Sequence, residues 1–249
     1  MIITFNEEHN ILRCLRSLKD IADDIVIVDA ASTDDTRSLA VAEGARVIQR
    51  AWTNYSDQKN FANGMALHEW ILSMDADEEL SAPLKEAILA EKRYGLKGAY
   101  RFPRLTNYCG TWIRHGGWYP DAKIRLFHCD EAVWEGEHIH EELVLEPGTR
   151  VKDINADILH YSYHTVADHK ERIQRYSTLH AQRMHAQGRK AGLVKCYLSP
   201  VVKFIQGYLL QLGFLDGVAG LQIAWYSAMA VHLKYWKLAR IGSGENRPR

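Results

Sequence analysis

The sequence predicts an α/β fold in which a mostly parallel, mixed sheet is flanked by helices and followed by an α-helical C-terminal extension. Over the first half of the chain, short runs of branched apolar residues alternate with segments of helical periodicity, which is the pattern of a parallel sheet. From Thr165 onward only helical periodicity remains. We therefore expect an α/β domain over residues 1–164 and a basic helical extension over residues 165–249.

The predicted elements follow one another in a regular order. The strands of the parallel part are expected at 1–4, 25–28, 45–48 and 71–74. The helices that alternate with them begin near Asn6 and Ser32 and lie within 56–70, and a further helix follows Ser81, with a proline in its first turn. Later strands are expected at 98–102, 122–127 and 156–161, and tail helices at 165–187, 194–212 and 215–239.

The formal net charge of zero hides an asymmetry between the two parts of the chain. Residues 1–164 carry 18 basic and 27 acidic side chains, whereas residues 165–249 carry 13 and 4. A basic tail of this kind faces phosphates, either of nucleic acid or of an anionic membrane. The four cysteines lack metal-type or redox-type spacing, so we expect reduced thiols in a cytoplasmic protein and no zinc site. No signal peptide is visible.

The tail is rich in aromatic and apolar residues. Its apolar stretches are interrupted by polar residues such as Lys203, Asp216 and Gln222, so we expect them to fall short of the ~20 mostly apolar residues of a spanning helix. The third tail helix is apolar nearly all round, which predicts either a core helix or a helix lying in the headgroup layer.

Two carboxylates, one residue apart, follow a short apolar strand in the run from Asp75 to Glu79. Open α/β sheets bind ligands at the carboxyl ends of their strands. Mg²⁺ and Mn²⁺ prefer oxygen ligands, and Mg²⁺ is commonly held by one or two carboxylates together with substrate phosphates. Asp75 and Asp77 are therefore predicted to hold Mg²⁺ or Mn²⁺, which would bind a nucleotide diphosphate. The structural alternative is a solvated acidic turn.

Several segments, in this order and spacing, resemble the family 2 glycosyltransferases, which have the Rossmann-like GT-A fold. They are Ile2 to Glu8, Ile25 to Thr36, Gln58 to Asn60 and Leu72 to Glu78. Within that family, the stretches Pro120 to Phe127, His140 to Glu142 and Gly213 to Gly217 are similar to bacterial lipopolysaccharide core glycosyltransferases of the heptose β-1,4-glucosyltransferase type. Ala30-Ala31 departs from the family's usual Ser-Gly or similar small pair, and we expect the turn to stay intact.

The resemblance implies a donor site at the carboxyl ends of the first strands. The residues expected to bind the nucleotide diphosphate sugar are Thr4, Asn6, Glu7, Asp29, Ser32, Asp34, Lys59 and Asp75. Asp29 would accept a hydrogen bond from the base or ribose, and Lys59 would reach the pyrophosphate. Asn6 and Ser32 are equally well explained as helix caps, and Lys59 as an exposed surface lysine.

The resemblance also implies an inverting sugar transfer. Such a reaction needs a base for the acceptor hydroxyl and a positive charge that balances the leaving diphosphate. Glu141 is expected to be the base, with Glu142 as the close alternative, and Asp121 would anchor the acceptor hydroxyl. His160, after a late strand, is either the third metal ligand or a structural histidine.

The expected enzyme moves a hexose, with UDP-glucose as donor, to a lipid-linked saccharide of lipopolysaccharide core or a related cell-surface glycan. Capsule or exopolysaccharide assembly, a metal-dependent nucleotidyltransferase and a nucleic-acid-binding module are the alternatives. A Gly-rich phosphate loop and a recognised nucleic-acid motif are both absent from the sequence, so we expect no nucleic-acid partner. The tail should hold a cytoplasmic protein peripherally and salt-sensitively on the anionic inner membrane, or form a homodimer interface.

Overall fold

The computed structural model describes residues 1–136 and 141–242, which fall into two compact units. The first unit comprises Met1–Leu105 and Asp121–Tyr161. The second comprises Thr106–Pro120 together with the chain from Ser162 onward. It therefore contains the predicted helical extension and, in addition, a short excursion from the middle of the chain.

The secondary structure alternates as predicted over the first 94 residues and becomes purely helical after the last strand. The strands are β1 (Ile2–Thr4), β2 (Val26–Asp29), β3 (Arg46–Gln49), β4 (Trp70–Leu72), β5 (Met74–Asp75), β6 (Glu78–Leu80), β7 (Ala99–Phe102), β8 (Arg104–Tyr108), β9 (Thr111–Ile113), β10 (Lys123–His128), β11 (Ala132–Glu135), β12 (Glu142–Leu145), β13 (Val151–Asp153) and β14 (Ile158–Tyr163). The α-helices are α1 (Ile11–Leu18), α2 (Thr36–Ala42), α3 (Tyr55–Gly64), α4 (Ala82–Tyr94), α5 (Val166–Ala186), α6 (Leu193–Ile205) and α7 (Gly217–Gly242). Two 3₁₀ turns, Cys129–Glu131 and Gly213–Asp216, and a π-helical segment, Gln206–Leu210, complete the described elements.

The parallel part of the sheet has the order β3-β2-β1-β5. Strand β2 is buried on both faces, which explains its uninterrupted apolar sequence. Ile27 packs with Ile11 and Leu15 of α1, whereas Val26 and Val28 belong to the core cluster on the other face. The predicted α/β fold with helices on a mostly parallel sheet is thereby confirmed.

The strand predicted at 71–74 is divided at Ser73. Residues Trp70–Leu72 pair antiparallel with β10, and Met74–Asp75 pair parallel with β1. The Ser73 backbone N–H donates to Arg125 O at 2.7 Å, and that of Met74 donates to Met1 O at 3.1 Å. The parallel and antiparallel parts therefore meet along one stretch of chain, which makes the sheet mixed, as predicted.

Among the described residues, six strands have no counterpart in the sequence prediction: β6, β8, β9, β11, β12 and β13. They are three to five residues long, and their sequences mix polar and apolar residues. Strands β11 and β12 form a hairpin, and all three residues of β13 are exposed. Such short segments lack the period-two alternation that predicts a half-buried strand, so only the tertiary pairing reveals them.

The second unit is built around three helices. Thr165 and Asp168 form a capping box at the start of α5, and α7 packs against both α5 and α6. An aromatic cluster lies beside them, in which the Tyr108 hydroxyl is 3.0 Å from Nδ1 of His169. Burial, together with the nearby Arg172, lowers the pKa of His169 to about 4. His169 is therefore a neutral core residue at physiological pH.

We expected every apolar stretch of the tail to be too short to span a membrane. This expectation was wrong for one helical stretch. Among the described residues, Gly213–Gly242 forms one 30-residue stretch that is long and apolar enough to cross a bilayer, with a mean hydropathy of 1.2 in its most apolar window. Only 22% of that window is buried. Two of the residues expected to interrupt the apolar stretches, Asp216 and Gln222, lie within this 30-residue stretch.

Ala31 lies in the loop after β2 with φ of +65°, in the left-handed region. This is the second position of the Ala30-Ala31 pair. A side chain at such a φ is strained, and glycine removes the strain at some cost in chain entropy. We expect Ala31→Gly to raise the free energy of unfolding by ~0.5–1 kcal/mol in urea denaturation.

The matched control for this change is Ala30→Gly, because Ala30 is not among the residues with positive φ. It adds the same chain flexibility without relieving strain, so it should leave stability unchanged or lower it. Equal effects of the two substitutions would contradict the strain at Ala31.

Candidate active site

The carboxyl ends of three neighbouring strands meet at one edge of the parallel sheet. Thr4 of β1 lies opposite Asp29 of β2, and Ile3 lies opposite Asp75 of β5. Polar residues that follow these strands are therefore brought to the same edge, where α/β sheets bind ligands. A separate cavity of about 310 Å³ beside Met1 contains none of the predicted site residues.

The predicted donor-binding residues of the first two loops bind one another. The fully buried Asp29 carboxylate accepts hydrogen bonds from Thr4 Oγ1 at 3.0 Å, from Ser32 Oγ at 2.5 Å and from the Ser32 backbone N–H at 2.9 Å. Ser32 Oγ in turn accepts from the backbone N–H of Asn6 at 2.8 Å, and Asn6 Oδ1 accepts from the backbone N–H of Thr33 at 2.8 Å. Asp29 thus joins the loop after β1 to the loop after β2 through hydrogen bonds.

The alternative that Asn6 and Ser32 are helix caps was wrong. The N-cap positions of α1 and α2 are occupied by Asn10 and Asp35. The loops are joined further along by the Glu7 backbone N–H, which donates to Thr36 Oγ1 at 2.7 Å. Asp34 accepts from the backbone N–H groups of Glu8 and Thr36, both at 3.1 Å. Its pKa is lowered, because hydrogen bonds from Thr36 outweigh the opposing effect of burial.

The acidic run is a folded element and not the solvated turn of the structural alternative. Ala76 and Asp77 form a two-residue turn between β5 and β6, and the side chain of Glu78 is fully buried. Glu78 accepts from Arg125 at 2.5 Å and from Arg104 at 3.2 Å. Its second oxygen accepts the Asp75 backbone N–H at 2.9 Å. The buried ion pair between Glu78 and Arg125 therefore stabilises the turn that carries the two aspartates.

Asp75 lies between cations. Its carboxylate is 2.6 Å from the Arg125 guanidinium and 3.4 Å from Lys59 Nζ. Burial by itself would raise the pKa of Asp75, but Arg125 and Lys59 hold it well below its ordinary value. Arg125 is not among the site residues predicted from the sequence, although it is a lone charge within the apolar part of the strand Lys123–His128.

Asp77 faces His160. The Oδ2 atom of Asp77 lies 3.2 Å from Nε2 of His160 on β14, and the contact lowers the pKa of Asp77 against the opposing effect of burial. This separation is close to the ~3 Å between adjacent ligands in an octahedral shell with bonds of 2.0–2.1 Å. A carboxylate and an imidazole of this geometry therefore fit a divalent cation. Asp75 is turned instead toward Arg125 and Lys59.

Three consecutive residues outside the predicted site also bring possible metal-ligand atoms close together. Among the residues that the structure describes, His128, Cys129 and Asp130 have ligand atoms that all lie within 4.8 Å of one another. They occupy the surface turn after β10, and Asp130 is exposed. Exposed acidic groups commonly come together in this way without an ion.

Lys59 is buried, so the alternative that it is an exposed surface lysine was wrong. It lies on α3, and the neighbouring Asn60 fixes β11 by donating to Trp134 O at 2.8 Å and accepting from its backbone N–H at 2.9 Å. The Trp134 ring consequently lies 4.3 Å from the Lys59 ammonium, which is a cation–π contact. The ammonium is also 3.2 Å from Glu141 Oε1.

The two glutamates proposed as the base have different surroundings. Glu141 is partly buried and contacts Lys59, whereas Glu142 is exposed at the start of β12. The preceding His140 of the same motif lies outside the described residues. Asp121, the predicted acceptor anchor, accepts from Arg104 at 2.5 Å and is 3.1 Å from Lys123 Nζ. Burial opposes ionisation of Asp121, but Arg104 lowers its pKa.

The chain is similar in sequence to known glycosyltransferases. Residues 1–134 match the family described as Glycosyl transferase family 2. The chain belongs to this family. An uncharacterized glycosyltransferase of Rickettsia typhi is 30% identical over 96% of this chain and 86% of that protein. The lipopolysaccharide core biosynthesis glycosyltransferase LpsC of Rhizobium meliloti is 26% identical over 96% of this chain and 93% of that protein. A crystal structure of S. aureus TarS, residues 1–349, is similar with a TM-score of 0.48 and 13% identity over all of this chain and 91% of that one.

The buried ion pair of this family 2 glycosyltransferase should be essential for its stability. We expect Arg125→Gln to lower the free energy of unfolding by ~3–5 kcal/mol, because it leaves the Glu78 carboxylate buried without its strongest partner. Arg125→Lys, which keeps the charge, should lose less. Urea denaturation measures both.

Arg101 provides a matched control, because it forms an equally short 2.6 Å pair with Asp153 but on the surface. Solvent screens such a pair, so Arg101→Gln should change stability far less than Arg125→Gln. Comparable losses in the two variants would show that the buried pair has no special role.

Proposed function

We propose that this glycosyltransferase is an inverting enzyme that moves a hexose, with UDP-glucose as donor, to a lipid-linked saccharide of lipopolysaccharide core. The observation that carries the proposal is the position of Lys59, whose ammonium lies 3.4 Å from Asp75 and 3.2 Å from Glu141. One cation thereby links the acidic turn to a carboxylate from a distant part of the chain. The relationship to LpsC, which is named for core biosynthesis, supports this class of acceptor.

The donor diphosphate would be bound by the acidic turn. Asp77 and His160 would hold Mn²⁺ or Mg²⁺, and Asp75 would assist from the neighbouring strand end. Mn²⁺ suits this set better, because an imidazole ligand is less favourable for Mg²⁺. When bound, the ion supplies positive charge against the charge that develops on the leaving diphosphate. The hydrogen-bonded loops around Asp29 would form the wall against which the nucleoside lies.

Lys59 would also bind the diphosphate, through its ammonium. The Lys59 side chain is buried and its ammonium lies over the Trp134 ring, so its charge is held in one place and is weakly solvated. A diphosphate that arrives within reach competes with Glu141 for this ammonium. Donor binding would therefore free the Glu141 carboxylate from its contact with Lys59.

Glu141 would then act on the acceptor. As the acceptor oxygen bonds to the anomeric carbon, the bond from that carbon to the diphosphate oxygen breaks, and its electron pair leaves with the nucleotide. The acceptor's hydroxyl proton passes to Glu141. Asp121, oriented by Arg104 and Lys123, would accept a hydrogen bond from another acceptor hydroxyl. A single displacement of this kind inverts the anomeric configuration.

Family membership supports sugar transfer over nucleotidyl transfer. Within sugar transfer, capsule or exopolysaccharide assembly remains the alternative to lipopolysaccharide core. The catalytic machinery would reside in residues 1–164, and residues 165–249 would associate with the cytoplasmic face of the inner membrane and the lipid-linked acceptor. The surplus of nine basic side chains in this extension, 13 against 4 acidic ones, favours an anionic membrane surface.

Donor hydrolysis tests the metal assignment. With Mn²⁺ and a panel of nucleotide sugars, the wild type should release nucleotide diphosphate fastest from UDP-glucose. Asp77→Asn should lower turnover at least ~100-fold at saturating Mn²⁺, because an amide loses the charge that binds the ion. The control is Glu79→Gln, two residues further along on β6. The Glu79 carboxylate accepts a hydrogen bond from the Tyr161 hydroxyl. Near-normal turnover in Asp77→Asn would remove the metal role from this residue.

Transfer to an acceptor tests the base. Glu141→Gln should lower the transfer rate by ~10²–10⁴-fold, the usual contribution of a positioned general base, without weakening donor binding, because it removes the carboxylate that competes with the diphosphate for Lys59. Glu142→Gln differs by one position and should lose far less, because Glu142 is exposed. If Glu142→Gln is inactive and Glu141→Gln is active, the two roles are exchanged.

A further inference from the structure

Helix α6 exposes its apolar face. Six apolar residues recur at helical spacing along α6 and the π-helical segment after it, and each is 41–70% exposed. We call this surface the α6 stripe; its members are Val194, Leu198, Val201, Val202, Ile205 and Leu209. In an ordinary surface helix such a row faces the core and polar residues face water. The arrangement in α6 is the reverse.

The opposite face of α6 is already in contact with protein. Cys196 and Gly207 are buried, and the backbone carbonyl of Cys196 lies 2.8 Å from Nδ1 of His232 on α7. Helix α7 packs along α6 within the second unit. The α6 stripe is therefore not the part of the helix that packs on α7, and it forms an additional apolar surface. Contiguous apolar surfaces of this kind mark contacts with membranes or other proteins.

The charges around the α6 stripe favour an anionic partner. Between Glu171 and Asp216 the sequence contains no acidic residue and seven basic ones: Arg172, Arg175, Arg183, Arg189, Lys190, Lys195 and Lys203. Apolar residues flanked by lysine and arginine are the pattern of a helix bound in the interface of an anionic bilayer. A symmetric dimer through the stripe would bring two such basic segments together, which opposes self-association.

We propose that α6 lies in the plane of an anionic bilayer, with the α6 stripe inserted into the boundary between headgroups and acyl chains. The 13 residues of α6 form a rod of roughly 20 Å, which is suited to lying in the interface. The inference rests on the membrane location proposed above, but not on the reaction. It adds an apolar contribution, so binding should be weakened by salt but not abolished.

Vesicle co-sedimentation tests the proposal. The full chain is mixed with vesicles of phosphatidylethanolamine and phosphatidylglycerol, or of phosphatidylcholine alone, in 0.1 and 0.5 M NaCl. The wild type should bind the anionic vesicles at both salt concentrations, and more weakly at the higher one. The double change Leu198→Glu with Val202→Glu should lower the partition coefficient by about 100-fold or more, since it removes two apolar contacts and adds two negative charges.

Two further variants separate the contributions. Lys190→Gln with Lys195→Gln should lower binding to anionic vesicles by roughly fivefold for each charge removed. Tyr94→Glu replaces an exposed apolar residue outside the stripe, on α4 of the first unit, and should bind like the wild type. Circular dichroism and donor hydrolysis without vesicles should be unchanged in the stripe variant, so a failure of membrane binding is distinguishable from a failure of the proposed reaction.

Three outcomes would overturn the proposal. The first is that the wild type binds neither kind of vesicle. The second is that the stripe variant binds as the wild type does, which would place the membrane contact elsewhere. The third is that sedimentation equilibrium finds a wild-type dimer that the stripe variant converts to a monomer, which would make the stripe a self-association surface.

Discussion

The candidate site depends on one buried guanidinium. Arg125 lies in the antiparallel strand β10 and contacts Asp75 at 2.6 Å and Glu78 at 2.5 Å, which belong to strands on either side of the acidic turn. Burial disfavours its charged form, but Asp75 and Glu78 raise the pKa of Arg125 above its ordinary value. The ion pair thereby joins β10 to the two strands that flank the Ala76-Asp77 turn. Without it, Asp75, Asp77 and Glu78, three carboxylates within four residues, would repel one another.

A second coupling joins the acidic turn to the proposed base. Two consecutive residues of α3 make this link. Asn60 holds β11 through two hydrogen bonds to the Trp134 backbone. Lys59 contacts the Trp134 ring, Asp75 and Glu141 through its ammonium. The position of the ammonium is thus fixed by the same element that positions the aromatic ring. A lysine on a solvated helix face would sample many rotamers, whereas this buried one retains few.

The two parts of the chain have surfaces of opposite character. The first 164 residues carry the acidic excess, with 27 acidic against 18 basic side chains, and four of the acidic ones lie between Asp75 and Glu79. The extension is basic and, in α6, apolar on its exposed side. The function proposed above would use both: carboxylates for a cation and an acceptor hydroxyl, and an apolar, basic surface for contact with a bilayer.

The sequence by itself determined the order of the βα units, the sheet edge at which Asp75 and Asp77 lie, and the family, because these depend on local periodicity and short motifs. It also identified Lys59 and Glu141 separately. Only the tertiary structure decided that Lys59 is buried between Asp75 and Glu141, that Arg125 and Glu78 support the turn, and that Asp29 joins two loops instead of facing solvent. Each of these contacts joins residues far apart in the chain or depends on burial, and the free energy of a buried charge is set by neighbours that no local pattern specifies.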